Sequence, residues 1–224
     1  MTPVKKALLL CGSPKPGPST SRSLLDYLAH ELQGQGLEVQ VFNLNHVNRD
    51  DSLMEKILGE TDRSDIIVAA FPLYVDGLPS PTLYALERIA DHRRAKVVGD
   101  GKGFAAISNC GFPEATQNQT VLATCKEFAR EAGFTWLGGL ALGGGGAIAG
   151  RPLESIGGMV RNMRKALDGM AEALARGEKI PAESMRLMAK PLVPIWLYRL
   201  FGNRGWKKQM KENKVGVKIG HRAY

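Results

Sequence analysis

The residues best suited to chemistry form a run of hydroxyl side chains near the start of the chain. Residues 19–21 (Ser-Thr-Ser) end a loop that opens with Gly12-Ser13-Pro14-Lys15. Where such a run begins a helix, open backbone N–H groups and the positive end of the helix dipole attract an anion, and hydroxyls add donors. The pattern favours a phosphate site, while a helix cap is the ordinary alternative for the same residues.

Two further loops have the residue types of a pocket for a flat ring. Residues 72–79 (PLYVDGLP) and 109–113 (NCGFP) each follow a short apolar run. Both combine apolar or aromatic surface with a small residue and backbone amides, which a planar group of mixed polarity requires. Turn chemistry explains either loop alone, but three compatible loops together favour one binding site.

A glycine-rich segment, residues 143–149 (GGGGAIA), contains a formal G-x-G-x-x-A pattern. A dinucleotide fingerprint belongs at the first strand-to-helix turn, whereas this segment follows the fifth predicted strand. Two interpretations stay open: the glycines let the loop pass close to a ligand, or they keep it flexible.

Other chemistries have little support in the sequence. The histidines are scattered, at positions 30, 46, 92 and 221, and the cysteines, at 11, 110 and 125, lack metal-site spacing. Pro18 stands where a nucleoside-triphosphate loop requires lysine. We therefore predict no metal site and assign no catalytic side chain.

The candidate loops are positioned by an alternation of strands and helices. Apolar runs predict five strands, at 6–11, 37–41, 65–71, 104–108 and 134–142. Apolar residues at helical spacing predict the intervening helices, at 24–32, 53–58, 83–89, 121–132 and 156–174.

This alternation predicts an α/β fold with a doubly wound, five-stranded parallel sheet and helices on both faces. Ligands of such sheets bind where loops leave the carboxyl ends of the strands. We expect one domain over residues 1–180, followed by a helical and basic C-terminal extension, residues 181–224.

A hydrophobic content of 44% is enough for one substantial core. The three cysteines form no CxxC motif, and we expect a reduced, cytoplasmic protein. The longest apolar stretch, residues 192–201, is shorter than the ~20 residues that a membrane-spanning helix needs. No partner among nucleic acids is expected.

The formal net charge of +8 is concentrated in the extension, where residues 199–222 contain eight Lys or Arg and one acid. An apolar segment precedes this basic stretch, and three alternative roles are open for it. It can pack in a homo-oligomer, make weak contact with an anionic membrane surface, or cover a bound ligand. Pro191 and Pro194 interrupt a long amphipathic helix, so we favour packing in a homo-oligomer.

The loops identify the chain as similar to the flavodoxin-like NAD(P)H-dependent FMN reductases, over roughly residues 5–176. The opening GSPK and the later STS resemble the phosphate loop of that family. The resemblance implies that the FMN phosphate is held by Ser13, Lys15, Ser19, Thr20 and Ser21.

The segment PLYVDGLP is similar to the Pro-x-Tyr loop of the same family, which edges the isoalloxazine ring. The resemblance therefore places one side of the flavin along Pro72, Leu73, Tyr74, Val75, Asp76 and Gly77. It places the far side along Asn109, Cys110, Gly111 and Phe112.

The family resemblance implies hydride transfer from NADPH or NADH to bound FMN and onward to a small acceptor, such as a quinone, a nitro or azo compound, or free flavin. The alternative is a flavodoxin-like electron carrier that docks with redox proteins. Carriers of this family tend to be acidic and compact, so a basic, extended chain favours the reductase.

Overall fold

The computed structural model describes residues 4–95, 101–192 and 195–214. Its sheet contains five parallel strands: β1 (Lys6–Cys11), β2 (Glu38–Asn43), β3 (Ile66–Pro72), β4 (Gly103–Asn109) and β5 (Thr135–Leu142). Their order in the sheet is β2-β1-β3-β4-β5. The predicted five-stranded parallel sheet is confirmed, and the order reverses between β1 and β3.

In the described part of the chain, the strands are accompanied by seven α-helices: α1 (Thr20–Gly34), α2 (Asp51–Arg63), α3 (Ser80–Arg94), α4 (Gln119–Glu131), α5 (Arg161–Ala175), α6 (Ala182–Met188) and α7 (Ile195–Glu212). The predicted helix over 156–174 is shorter than expected, because Gly157 has a left-handed φ of 73° that interrupts the preceding 3-10 turns. Regular helix begins only at Arg161.

The central strands are buried on both faces and divide the core into two layers. In β1, Leu9 belongs to a cluster with helices α1 and α5, whereas Leu8 and Leu10 belong to a cluster with α2, α3 and α4. Successive strand side chains point to opposite faces, so a continuous apolar run serves both layers. Helices on both faces thus confirm the predicted doubly wound architecture.

Part of the extension belongs to this core. Met188, in the extension, lies in the same cluster as α1 and α5, together with Ile180, the last residue of the predicted domain. The Ile180 amide donates to the Leu137 carbonyl at 2.7 Å. The short helix α6 is therefore attached to the edge of the sheet at β5. The domain boundary at residue 180 stays a prediction.

Within the described residues, no helix combines the length and apolarity needed to cross a bilayer. Helix α7 carries exposed basic residues and the exposed indole of Trp206. The predicted tail residues 193, 194 and 215–224 lie outside the described part of the chain.

Candidate functional site

A cavity of about 220 Å³ opens beyond the carboxyl ends of β1, β3 and β4. It lies beside the reversal of strand order, where doubly wound sheets bind their ligands. It brings together three predicted loops, through Ser13, Lys15, Ser19, Thr20, Ser21, Pro72, Leu73, Tyr74, Asn109, Cys110 and Gly111. Predicted residues that are up to 98 positions apart in sequence, from Ser13 to Gly111, thus lie in one wall.

The amino end of α1 supplies hydrogen-bond donors to this cavity. Ser19 caps the helix: its Oγ accepts from the Arg22 amide at 3.2 Å, and its carbonyl accepts from the Ser23 amide at 3.0 Å. The backbone N–H groups of Thr20 and Ser21, which lie between Ser19 and Arg22, precede the first hydrogen bonds of the helix. They therefore have no acceptor within the helix. The first turn contains no acidic residue, so this end of the cavity suits an anion.

The hydroxyls of Ser19, Thr20 and Ser21 have different hydrogen-bond partners within the protein. Ser21 Oγ accepts a hydrogen bond from Asn109 Nδ2 at 2.9 Å, and Ser19 Oγ is the acceptor in the helix cap. Both serines act as acceptors, so each keeps its own O–H donor for a ligand. Thr20 differs, because its Oγ1 donates to the Gly145 carbonyl at 2.7 Å.

Asn109, at the end of β4, joins three elements around the cavity. Its side-chain amide donates to Ser21 Oγ at 2.9 Å and to the Phe71 carbonyl at 3.0 Å. The side chain is almost fully buried, where unpaired amide hydrogens would be costly. Asn109 therefore fixes the carboxyl ends of β3 and β4 against the start of α1.

The glycine-rich segment lies against the same loops. The amides of Gly144 and Gly145 donate to the carbonyls of Phe112, at 2.7 Å, and Cys110, at 2.8 Å. A Cβ on Gly145 would lie 2.9 Å from Asn109 Oδ1, which is closer than van der Waals contact. Gly145 therefore permits a close approach between two loops of the protein, whereas passage of the segment close to a ligand stays a prediction.

The loop after β3 ends in a tight turn. The amide and carbonyl of Tyr74 pair with those of Gly77 at 3.0 and 2.9 Å. The two residues between them, Val75 and Asp76, have left-handed φ angles of 46° and 59°, which are unfavourable for a β-branched valine. Strain of this kind, about 1–3 kcal/mol per residue, is often found at functional sites.

Four predicted residues do not line the cavity: Val75, Asp76, Gly77 and Phe112. Residues 75–77 belong to the turn that Tyr74 and Gly77 close, and Phe112 is 60% exposed. Their contact with a cofactor stays a prediction.

The family model described as flavodoxin-like fold matches residues 5–151. That range includes all five strands and the three loops around the cavity. The chain belongs to the flavodoxin-like fold family. A comparison with curated protein sequences gives no match.

Solved structures share this flavodoxin-like fold at low sequence identity. RosB, with a bound 8-demethyl-8-formylriboflavin-5′-phosphate intermediate, aligns at a TM-score of 0.61 and 16% identity, over 96% of this chain and 89% of RosB. An FMN-dependent NADH-azoreductase from Bacillus anthracis, in complex with FMN, aligns at 0.56 and 16% identity, over 76% of this chain and 99% of the azoreductase.

The flavodoxin-like chain also aligns with rubredoxin oxygen:oxidoreductase from Desulfovibrio gigas, at a TM-score of 0.55 and 15% identity. The alignment covers 78% of this chain and 36% of that protein. The aligned part of the chain thus spans about a third of that oxidoreductase.

Two residues at or beside the cavity were not predicted from the sequence. Gly146 lines the cavity, and the hydroxyl of Tyr198, in α7, donates to the Gly111 carbonyl at 2.7 Å. The four consecutive glycines were a signal for Gly146. Tyr198 had no such signal, because its partner lies 87 positions away.

Cys110 is present in the cavity wall as a buried thiol. Burial raises its pKa above the ordinary thiol value, so the thiolate that a nucleophile requires is disfavoured. Its Sγ accepts from Asn118 Nδ2 at 3.4 Å. The arrangement is that of a packed loop residue.

The cavity meets the chemical requirements of a flavin mononucleotide phosphate. The open amides at the start of α1, the serine hydroxyls and the Lys15 ammonium are all donors. Their neighbours along the wall, Leu73, Tyr74 and Gly111, offer the apolar and backbone surface that a ring requires. The residues present therefore fit FMN.

Proposed function

We propose that this protein is an FMN-dependent NAD(P)H oxidoreductase that passes hydride equivalents from NAD(P)H, through bound FMN, to a small acceptor. The observation that carries the proposal is the cavity at the strand-order reversal, which joins an anion-binding helix end to two loops suited to a ring. Each end of the cavity matches a different part of one mononucleotide.

At the phosphate end, the Thr20 and Ser21 amides and the Ser13, Ser19 and Ser21 hydroxyls donate to phosphate oxygens. Lys15 is exposed at the rim, where its charge attracts the anion before contact. Thr20 Oγ1 contributes indirectly, because its hydrogen bond to Gly145 holds the glycine-rich segment against the helix.

At the ring end, Leu73, Tyr74, Asn109, Cys110 and Gly111 line the path of the isoalloxazine. The Gly111 and Gly146 backbones allow close approach, since neither carries a Cβ. FMN itself supplies the hydride and electron chemistry, so the protein needs to provide position and electrostatics rather than an acid or base.

The comparisons support this proposal through the named ligands of the neighbours. The Bacillus anthracis azoreductase is FMN-dependent and holds FMN, and RosB holds a modified riboflavin 5′-phosphate. We extend to this chain the mononucleotide as cofactor and NADH or NADPH as reductant. Location in the cytoplasm and assembly as a homo-oligomer are part of the same proposal.

The alternative function is that of an FMN electron carrier that docks with protein partners. Carriers and reductases share the phosphate site, so the cavity alone favours neither. The reductase is favoured by a second, apolar cavity beside the first, bounded by the extension, which gives a small substrate a place to bind.

Purified protein incubated with FMN and then desalted tests the proposal. The expected result is a yellow protein that releases FMN on denaturation and is bleached by NADPH or NADH without oxygen. Retained colour without bleaching would favour the carrier, and failure to bind FMN would refute both functions.

A further inference from the structure

The exposed basic residues of α7 lie on one face of the helix. Four of them follow the spacing i, i+3, i+4 and i+7: Arg204, Lys207, Lys208 and Lys211. This spacing places them within an arc of about 100° around the helix axis, and all four are exposed. Lys214, which is also exposed, follows the end of the helix. These five residues form the basic stripe.

Little negative charge faces the basic stripe. Glu212 is the only acidic residue of α7, and its Oε1 lies 3.7 Å from Lys208 Nζ. Both side chains are largely exposed, so this ion pair contributes little. Within the described residues, no carboxylate pairs with the other four cations of the stripe. A stripe of uncompensated positive charge attracts an anionic partner.

A second copy of this chain does not supply that partner. Residues 199–222 carry +7 of the net charge of +8, which leaves +1 for the rest of the chain. In a symmetric dimer the same surface meets itself, so two basic stripes would repel each other. The predicted packing of the apolar segment, residues 192–201, involves a different part of the extension.

An aromatic and an apolar side chain lie beside the basic stripe. Trp206 and Met210 are four residues apart, so they share the helix face next to Lys207. Trp206 is 64% exposed, and Met210 is partly exposed. Tryptophan is enriched at membrane interfaces, where its amphipathic ring lies at the level of the lipid headgroups. Basic residues beside such a ring are typical of a helix that lies on a lipid surface.

The composition of the basic stripe favours lipid over nucleic acid. Four of its five cations are lysines, and the lysine ammonium is a compact charge without a preferred planar geometry. Arginine, whose planar group binds phosphate in a bidentate manner, is the preferred residue for nucleic-acid recognition. Clusters of about four to eight basic residues on an amphipathic helix are typical of proteins that bind anionic lipids.

The prolines of the extension do not interrupt this helix. From the sequence, Pro191 and Pro194 were expected to break an amphipathic helix, but both precede α7, which is continuous over 18 residues. The helix therefore spans about 27 Å. The Tyr198 hydroxyl, six residues before the stripe begins, donates to the Gly111 carbonyl at 2.7 Å. This hydrogen bond attaches α7 to the wall of the proposed cofactor site.

We propose that the basic stripe docks the protein on an anionic lipid surface, with Trp206 and Met210 at the level of the headgroups. The helix lies along the surface, and the cations of the stripe face the lipid phosphates. The hydrogen bond of Tyr198 then holds the wall of the proposed cofactor site near that surface. The docking is independent of the proposed function, because it needs neither FMN nor a nicotinamide nucleotide.

Co-sedimentation of the full chain with lipid vesicles tests the proposal. Vesicles of equal parts phosphatidylglycerol and phosphatidylcholine are the anionic probe, and vesicles of phosphatidylcholine alone are the neutral control. We expect binding to the anionic vesicles to be tighter by at least about tenfold. The difference should largely disappear between 0.1 M and 1 M salt, because the Debye length falls from about 10 to about 3 Å.

Paired substitutions separate the basic stripe from the overall charge. Lys207→Gln with Lys211→Gln should weaken binding to anionic vesicles by at least about tenfold, since each cation near such a surface contributes roughly fivefold. Lys56→Gln with Lys126→Gln is the matched control, because it removes two exposed charges from α2 and α4. The control should bind within about twofold of wild type. Trp206→Ala should weaken binding severalfold.

Equal binding to anionic and neutral vesicles, or equal losses in the two paired variants, would overturn the proposal. So would tighter binding of a random-sequence DNA duplex than of anionic vesicles at the same salt, which would assign the basic stripe to nucleic acid. A smaller assembly of Lys207→Gln with Lys211→Gln in the absence of vesicles would also overturn it, in favour of contact between copies. If that variant does not fold, Arg204→Gln with Lys208→Gln removes the same charge from the same stripe, with the same expected outcomes.

Discussion

The Thr20 hydroxyl and the Gly145 carbonyl are joined by a 2.7 Å hydrogen bond across 125 positions of sequence. The bond connects the first turn of α1 to the loop after β5. The family resemblance implies that Thr20 helps to hold the FMN phosphate. In the structure its hydroxyl donates to a protein carbonyl, and a direct contact with phosphate stays a prediction.

Replacement of Thr20 by valine should therefore destabilise the FMN-free protein by about 0.5–1.5 kcal/mol, the usual contribution of one such hydrogen bond. Thr20→Ser keeps the hydroxyl and serves as the control. Urea unfolding of the two variants measures the difference. Equal stability, accompanied by loss of FMN affinity in Thr20→Val alone, would mean that the hydroxyl binds phosphate instead.

The glycines of the same loop should differ sharply in their tolerance of a methyl group. A Cβ on Gly145 meets Asn109 Oδ1 at 2.9 Å, whereas a Cβ on Gly146 meets nothing within 4 Å. We expect Gly145→Ala to lower the free energy of unfolding by about 1–3 kcal/mol, as overpacking does. Gly146→Ala should fold normally, and thermal melts of both variants decide the point. Similar melting temperatures would show that the loops separate easily.

The fold was predictable because its signals are local. The continuous apolar run of β1 needs no knowledge of its neighbours to be identified as a strand buried on both faces. Ser19 likewise has the residue type and position of a helix cap, and the structure shows that cap.

The contacts around the site were less predictable, because they join distant segments. Neither the Asn109 bond to Ser21 nor the Tyr198 bond to Gly111 has a periodic pattern that would indicate it. The strained turn at Val75 was also hidden, since valine is an uncommon residue at a positive φ. Such contacts depend on how loops meet in space.

The thiol of Cys125 should make stability depend on pH in alkaline solution. Burial raises its pKa from 9.0 to about 12, so the unfolded chain loses this proton at lower pH than the folded one. The contribution of the protonated thiol to the free energy of unfolding is therefore fully present below about pH 9, and it is lost as the pH rises from about 9 to about 12. The expected slope is up to about 1.4 kcal/mol per pH unit.

Urea unfolding of wild type and Cys125→Ala, at pH 8 and at pH 10, isolates this contribution. The wild type should lose more stability between the two pH values than the variant, because other titrating groups are common to both. Equal losses would mean that the Cys125 thiol titrates normally in the folded protein.

Two truncations separate the parts of the extension. A chain that ends at residue 190 keeps α6 and its buried Met188, so it should fold and bind FMN. A chain that ends at residue 180 loses that side chain from the core and should be destabilised by at least about 2 kcal/mol. Urea unfolding and FMN titration compare the two.

Light scattering on the same chains tests the predicted homo-oligomer. If the extension packs between subunits, the full chain should have a molar mass above that of a monomer. The chain that ends at residue 190 should form an assembly of fewer subunits. A soluble assembly of unchanged size would contradict a role in the interface. Binding of the full chain to anionic vesicles would then be the next measurement.

The central claim is that one cavity holds FMN and exposes it to a nicotinamide nucleotide. An anaerobic titration of FMN-loaded protein with NADPH, and separately with NADH, tests it most directly through the visible absorbance of the flavin. We predict complete bleaching at one equivalent of at least one nucleotide. A protein that stays yellow with both nucleotides, or that binds no FMN, would contradict the claim.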